Sequence, residues 1–97
     1  MPTYVTLINW TEQGVKNFKD TVDRYEAAED AIGKTGASFK SIYWTVGPYD
    51  IVGIVEAPDD ESLTAALLAV AREGNIRTTT LRAFDSGEMR SVIDKAT

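Results

Sequence analysis

Neither cysteine nor histidine occurs anywhere in the chain, and proline occurs only 3 times in 97 residues. Without cysteine, disulfides, zinc–thiolate sites, iron–sulfur clusters and thiol nucleophiles are excluded. Without histidine, His-ligated haem, His-based metal centres and Ser-His-Asp catalysis go with them. The composition therefore leads us to expect no metal site and no cofactor.

Positive charge is also scarce. Lysine and arginine number 10 against 15 acidic residues, a net charge of −5, and the sequence pI is about 4.6. An acidic surface repels phosphate backbones, and there is no basic block to dock on nucleic acid or anionic lipid. Long apolar runs are missing too. The longest helical one, Ala65 to Ala71, is far too short to span a bilayer. The start, Met1-Pro2-Thr3-Tyr4-Val5, has no basic region followed by a hydrophobic one, so a cytoplasmic location is expected. Asn9-Trp10-Thr11 fits the glycosylation sequon, a chance match in a chain without a secretion signal.

What is present is ordinary soluble-protein material, 43% hydrophobic and 26% charged. No linker or low-complexity tract interrupts it, so residues 1–97 read as one domain. Thr3 to Trp10 is rich in β-branched and aromatic residues and predicts a strand, with Val5 and Leu7 on one face and Tyr4, Thr6, Ile8 and Trp10 on the other. Thr11 is placed to cap a helix. Val15, Phe18, Val22, Tyr25, Ala28 and Ile32 then recur at helical steps, and Gly36 supplies a stop. The Asp20-Thr21 pair can re-cap the chain, so the spacing allows either one kinked helix or two.

Ala37–Val46 predicts a second strand, with Phe39, Ser41, Tyr43 and Thr45 on one face and Ile42 and Trp44 on the other. Gly47-Pro48 turns the chain into a third strand, Asp50–Ala57. Pro58-Asp59-Asp60-Glu61 opens a helix whose acidic first turn suits the helix dipole. Leu63, Ala66, Leu67, Val70 and Ala71 make its buried stripe, and Gly74 ends it. Asn75–Phe84 is a threonine-dense fourth strand. Asp85 with Glu88 resembles a capping box for a short last helix bearing Met89, Val92, Ile93 and Ala96. The order β-α-β-β-α-β predicts an α+β ferredoxin-like sandwich, a four-stranded antiparallel sheet with helices on one face and a short C-terminal helix.

The third strand implies a partner. Ile51, Val52, Ile54 and Val55 make it apolar on both faces, and helices on one side cover only one of them. The exposed face calls for a second copy of the chain, unless the last helix folds back across it.

Gly47-Pro48-Tyr49-Asp50 resembles the motif that gives the GYD domain family its name. The likeness continues through Leu7–Thr11, Tyr43-Trp44-Thr45, Val55–Asp60 and Gly74–Phe84, nearly the whole chain. Many members carry a proline near the positions of Thr21-Val22, which this chain lacks. The resemblance implies a dimeric α/β barrel, in which two ferredoxin-like sheets pack face to face. It lends no activity, because fold alone does not supply one.

Tyr43, Trp44, Tyr49 and Asp50 gather around one hairpin. A carboxylate among aromatic rings is partly desolvated and suited to proton transfer, so Asp50, with Tyr43 steadying charge, is the candidate catalytic pair. The structural alternative is that Asp50 accepts backbone hydrogen bonds at the turn. In the fourth strand, Arg77, Leu81 and Ala83 are expected to meet the helices, leaving Thr78, Thr80 and Arg82 with Phe84 on the partner-facing side. Arg82 beside threonine hydroxyls can hold an anionic group, or pair with Glu56 or an acid of the second subunit. The candidate ligand-binding residues are thus Trp10, Trp44, Tyr49, Thr78, Thr80 and Arg82. Gly33-Lys34-Thr35 fails as a phosphate loop, since Ala28 occupies the glycine position and the segment closes a helix. Three functions fit: a homo-oligomer binding a small apolar or anionic ligand between its sheets, a cofactor-independent isomerase or oxygenase using Asp50, and a regulatory or scaffold protein for another polypeptide.

Overall fold

Alternation along the first strand sets the layers. In a computed structural model describing residues 1–97, Tyr4, Thr6 and Ile8 of β1 (Thr3–Trp10) are buried while Val5 and Leu7 between them are partly exposed. The chain continues through α1 (Glu12–Lys16), a 3-10 turn (Phe18–Asp20), α2 (Thr21–Gly33), β2 (Ser38–Trp44), β3 (Ile51–Glu56), α3 (Asp60–Ala71), β4 (Ile76–Ala83) and α4 (Ser86–Ala96). The sheet has four strands in the order β2-β3-β1-β4, all antiparallel. The two long crossovers carry α2 and α3 to the same face, as the ferredoxin-like arrangement requires.

The first helical stretch is divided. Thr11 caps α1, accepting from the Gly14 amide, but the helix lasts one turn before the 3-10 segment. Arg24 makes up for the break by donating to the Asn17 carbonyl at 2.6 Å and the Gly14 carbonyl at 3.3 Å. Asp20 occupies the next N-cap position without making a side-chain bond. The division swings Val15, Phe18 and Val22 outward, each about half exposed. Of the expected stripe only Ile32 is buried, with Tyr25 and Ala28 partly so.

The other helix signals hold. Asp59 caps α3 by accepting from the Ser62 amide at 2.8 Å, and Asp85 and Glu88 form a reciprocal capping box on α4. Gly36 and Gly74 follow α2 and α3 with φ of 89° and 84°, a region where a Cβ is strained.

The core lies between sheet and helices. Tyr4, Ile32, Ala37, Val55, Ala57, Leu63 and Ala66 form one buried cluster. Tyr4 also ties β1 to the start of α3 by donating its phenol to Asp60. Gly53 leaves room for the Thr6 hydroxyl, which donates to the Gly53 carbonyl at 3.1 Å, and for the Phe39 ring beside it.

One residue of β2 changes face and the faces of β4 are reversed. A register shift between Phe39 and Ser41 marks a bulge in β2. It moves Phe39 to the helix side with Ile42 and Trp44, leaving Ser41 and Tyr43 on the far side. In β4, Thr78, Thr80 and Arg82 stand opposite Ile8, Thr6 and Tyr4, and so share the helix side. Arg77, Thr79, Leu81 and Ala83 take the open face, the opposite of the reading from hydrophobicity.

α4 does not fold back across the open face. It has no buried residue and no substantial packing on any strand or helix of its own chain. The molecule measures 50 × 30 × 17 Å with a radius of gyration of 14.5 Å, against about 12.5 Å for a compact chain of this length. No helix is long and apolar enough to cross a membrane.

Candidate functional site

The helix–sheet interface is filled at the Tyr4 end and hollow at the Trp10 end. The hollow is a cavity of about 310 Å³, within the usual range of small-molecule sites. Sheet residues Ile8, Trp10, Phe39 and Ile42 form one wall, and Tyr25 and Ala28 of α2 face them. Small residues explain the gap: Ala27, Ala28 and Ala31 of α2 and Ala69 of α3 border it, where longer side chains would fill the space.

The rim is built by local hydrogen bonding. The Thr11 amide donates to the Asn75 carbonyl at 3.0 Å, and its hydroxyl donates to the Gly74 carbonyl at 2.6 Å. Gln13 donates to the Glu73 carbonyl at 3.1 Å and to Asn75 Oδ1 at 2.9 Å. Gly14 fits against this loop because it lacks a Cβ, which would lie 2.1 Å from the Asn75 carbonyl oxygen. Arg24, Glu73 and Asn75 consequently meet at the cavity. Burial, reinforced by the nearby Glu29 carboxylate, raises the Tyr25 phenol above its ordinary pKa.

The structure separates the residues singled out in the sequence. Trp10 lines the cavity, and its indole Nε1 is buried without a partner. Trp44 stands edge-on to Tyr25 at 6.0 Å and donates its indole N–H to Thr21 Oγ1 at 3.0 Å. Asp50 accepts from the Trp10 amide at 3.0 Å and lines neither this cavity nor the smaller one beside Thr78. Its carboxylate thus ties the end of the β2–β3 hairpin to the end of β1 and not to the turn itself. Tyr43 lies on the open face, 64% exposed. The Tyr49 carbonyl accepts from the Thr45 hydroxyl at 2.6 Å.

Thr80 has a buried hydroxyl with no partner. Arg82 lies over the Tyr4 and Phe84 rings, at 5.7 and 4.5 Å, and reaches Glu88 at 3.9 Å. Glu56 pairs instead with Lys40 at 3.1 Å. The ligand-binding candidates thus fall mostly under the helices and not between two sheets. Sequence reasoning missed Arg24, Tyr25 and Phe39. The run of alanines within the α2 stripe was the one signal of a gap, while the bulge that turns Phe39 inward leaves no mark in residue spacing.

The opposite side of the sheet is a broad surface. Val5 and Leu7 of β1, Val52 and Ile54 of β3 and Leu81 of β4 point away from the helices, and nothing in the chain covers them. Met89, Val92 and Ile93 of α4 are exposed apolar residues as well.

The GYD domain model matches residues 4–93. The chain belongs to the GYD domain family. This GYD domain is 29% identical over 90 residues to a Thermus thermophilus protein named "Glutamine synthetase and cystathionine beta-lyase binding protein", covering 92% of this chain and 95% of that one. It is also similar to the crystal structure of TTHA0845 from Thermus thermophilus, with a TM-score of 0.56 and 27% identity over 89% of this chain and 96% of the other. These likenesses span both the open sheet face and the cavity-bearing side of the GYD domain.

Proposed function

We propose that this GYD domain is a cytoplasmic homo-oligomeric docking protein, acting as a single domain: it pairs with itself through the open sheet face and holds another polypeptide on its helical side. The observation that carries the reading is the uncovered apolar surface of the sheet. Val5, Leu7, Val52, Ile54 and Leu81 sit on adjacent strands with no layer above them. Exposed apolar area of this extent in a soluble protein marks an interaction surface. A second sheet stacking about 10 Å away would remove it from water. α4 carries its own apolar stripe beyond the sheet and would extend that interface.

The helical side offers a separate patch, Val15, Phe18 and Val22, where the broken helix turns outward. The name of the Thermus relative, which speaks of two protein partners, supports a second surface for a different polypeptide. The partners we propose for this chain are therefore its own copies and an enzyme of the kind named for that relative.

Sedimentation equilibrium tests the first half. The wild-type protein is expected to be a dimer or larger, and Val52→Glu with Leu7→Glu is expected to give a folded monomer. A wild-type protein that stays monomeric at about 100 μM would reject self-pairing. The second half is tested with glutamine synthetase and cystathionine β-lyase from the same cell, flowed over immobilised protein. Binding to at least one, lost in Phe18→Asp, is expected; silence from both rejects the partner reading.

A further inference from the structure

We propose that the cavity beneath α2 and α3 is a binding site for a small aromatic carboxylate, held within one protomer and independent of the docking surfaces. It is partly open to solvent, and its volume of about 310 Å³ is enough to admit a small ligand. The walls are suited to a flat apolar body. Trp10, Tyr25 and Phe39 present rings, with Ile8, Ile42 and Ala28 between them. Tyr25 and Phe39 already meet edge-on at 5.2 Å, an arrangement to which a further ring can add.

The polar groups choose the other end of the ligand. The Trp10 ring borders the cavity, while its Nε1 is closed off behind the ring edge, buried and without a partner. Arg24 also lines the cavity, yet no carboxylate pairs with it. The chain's ion pairs are Lys16–Glu12, Lys40–Glu56 and Arg82–Glu88. Arg24 uses part of its guanidinium on the Asn17 and Gly14 carbonyls, which fixes its place and leaves donors over.

Arg24 is a donor without an acidic partner at the cavity, so the complementary ligand brings an acceptor. A carboxylate satisfies an arginine better than a neutral oxygen does. The other polar groups limit the choice. Thr21 is engaged as acceptor by Trp44, and Asn75 by Gln13. Glu73 at the same cavity adds a negative charge that disfavours a dianion. A monoanion on one or two fused rings meets all of these terms.

The chain's 2 tryptophans make the test direct, because each gives one indole N–H signal in a ¹⁵N correlation spectrum. Benzoate, 2-naphthoate and indole-3-acetate are titrated singly to about 5 mM, the weak end of small-ligand affinity. At least one is expected to move the Trp10 indole signal, identified by its loss in Trp10→Phe, while the hydrogen-bonded Trp44 signal shifts less. The alcohol matching the best probe is expected to bind about tenfold more weakly, as is the acid itself to Arg24→Gln. Ala28→Leu fills the void and is expected to abolish binding while keeping the wild-type fold. Silence from all three acids overturns the proposal, as does undiminished binding in Ala28→Leu or equal affinity for acid and alcohol.

Discussion

The two ends of the helix–sheet interface are built from the same strands and differ in how they are filled. At the Tyr4 end, Val55, Ala57, Leu63 and Ala66 close around the ring and exclude water almost completely. At the Trp10 end, the same β1 and β3 carry Ile8 and Ile51 against a helix face of alanines, and a cavity remains. One end is committed to stability and the other has room to bind. The difference lies less in hydrophobicity, since both ends are apolar, than in volume: a core tolerates apolar exchange but not missing atoms without cost.

Substitutions can test that contrast. The largest effect is expected from Leu63→Ala, which empties the filled end. A loss of about 3 kcal/mol should appear as a fall of about 12 °C or more in thermal midpoint. Ala66→Leu should follow, costing about 2 kcal/mol because the added atoms exceed the small space of about 30 Å³ beside it. Chemical denaturation curves measure both, and a neutral Ala66→Leu would show that the filled end is looser than described.

Tyr4→Phe removes the phenol that anchors β1 to Asp60 and should cost about 1 kcal/mol. It also alters the alkaline limit. The hydrogen bond to Asp60, burial and the Asp60 charge all raise the Tyr4 phenol. A group raised on folding contributes stability that is full below its unfolded value, near 10, and is lost as pH rises through the folded value. Wild-type stability should therefore fall above about pH 10, and the fall should be shallower in Tyr4→Phe. The partly buried Tyr25, raised in the same direction, keeps some of that slope in both proteins. The smallest effect belongs to Ala28→Leu at the hollow end, expected within about 0.5 kcal/mol of wild type or slightly stabilising. A loss as large as that of Ala66→Leu would remove the distinction between the ends.

The two sheet faces show where reading a strand in isolation fails. Leu81 looks like a core residue and Thr80 like a surface one, yet β4 pairs with β1 so that Thr80 meets Thr6 on the inside and Leu81 meets Val5 on the outside. A strand's faces are fixed by the register of its neighbour, and a shift of one residue exchanges them all. The apolar residues sent outward add to the surface that the two-sided pattern of β3 had already implied. In β2 the bulge after Phe39 interrupts the alternation, so counting by twos misplaced that ring.

Much of this protein was set by local chemistry and could be read from residues alone. The bounds of β1, the Asp85–Glu88 box on α4, the glycine stops at Gly36 and Gly74, the hairpin at Gly47-Pro48 and the four-stranded topology all follow from caps, turns and periodicity, which act over a few residues. The cavity, the unpartnered Trp10 indole, the freedom of Arg24 from any carboxylate and the inward turn of Phe39 were decided only when α2 and α3 settled on the sheet. Each depends on distances between residues far apart in the chain, and these are set by strand register and by the volume of facing side chains.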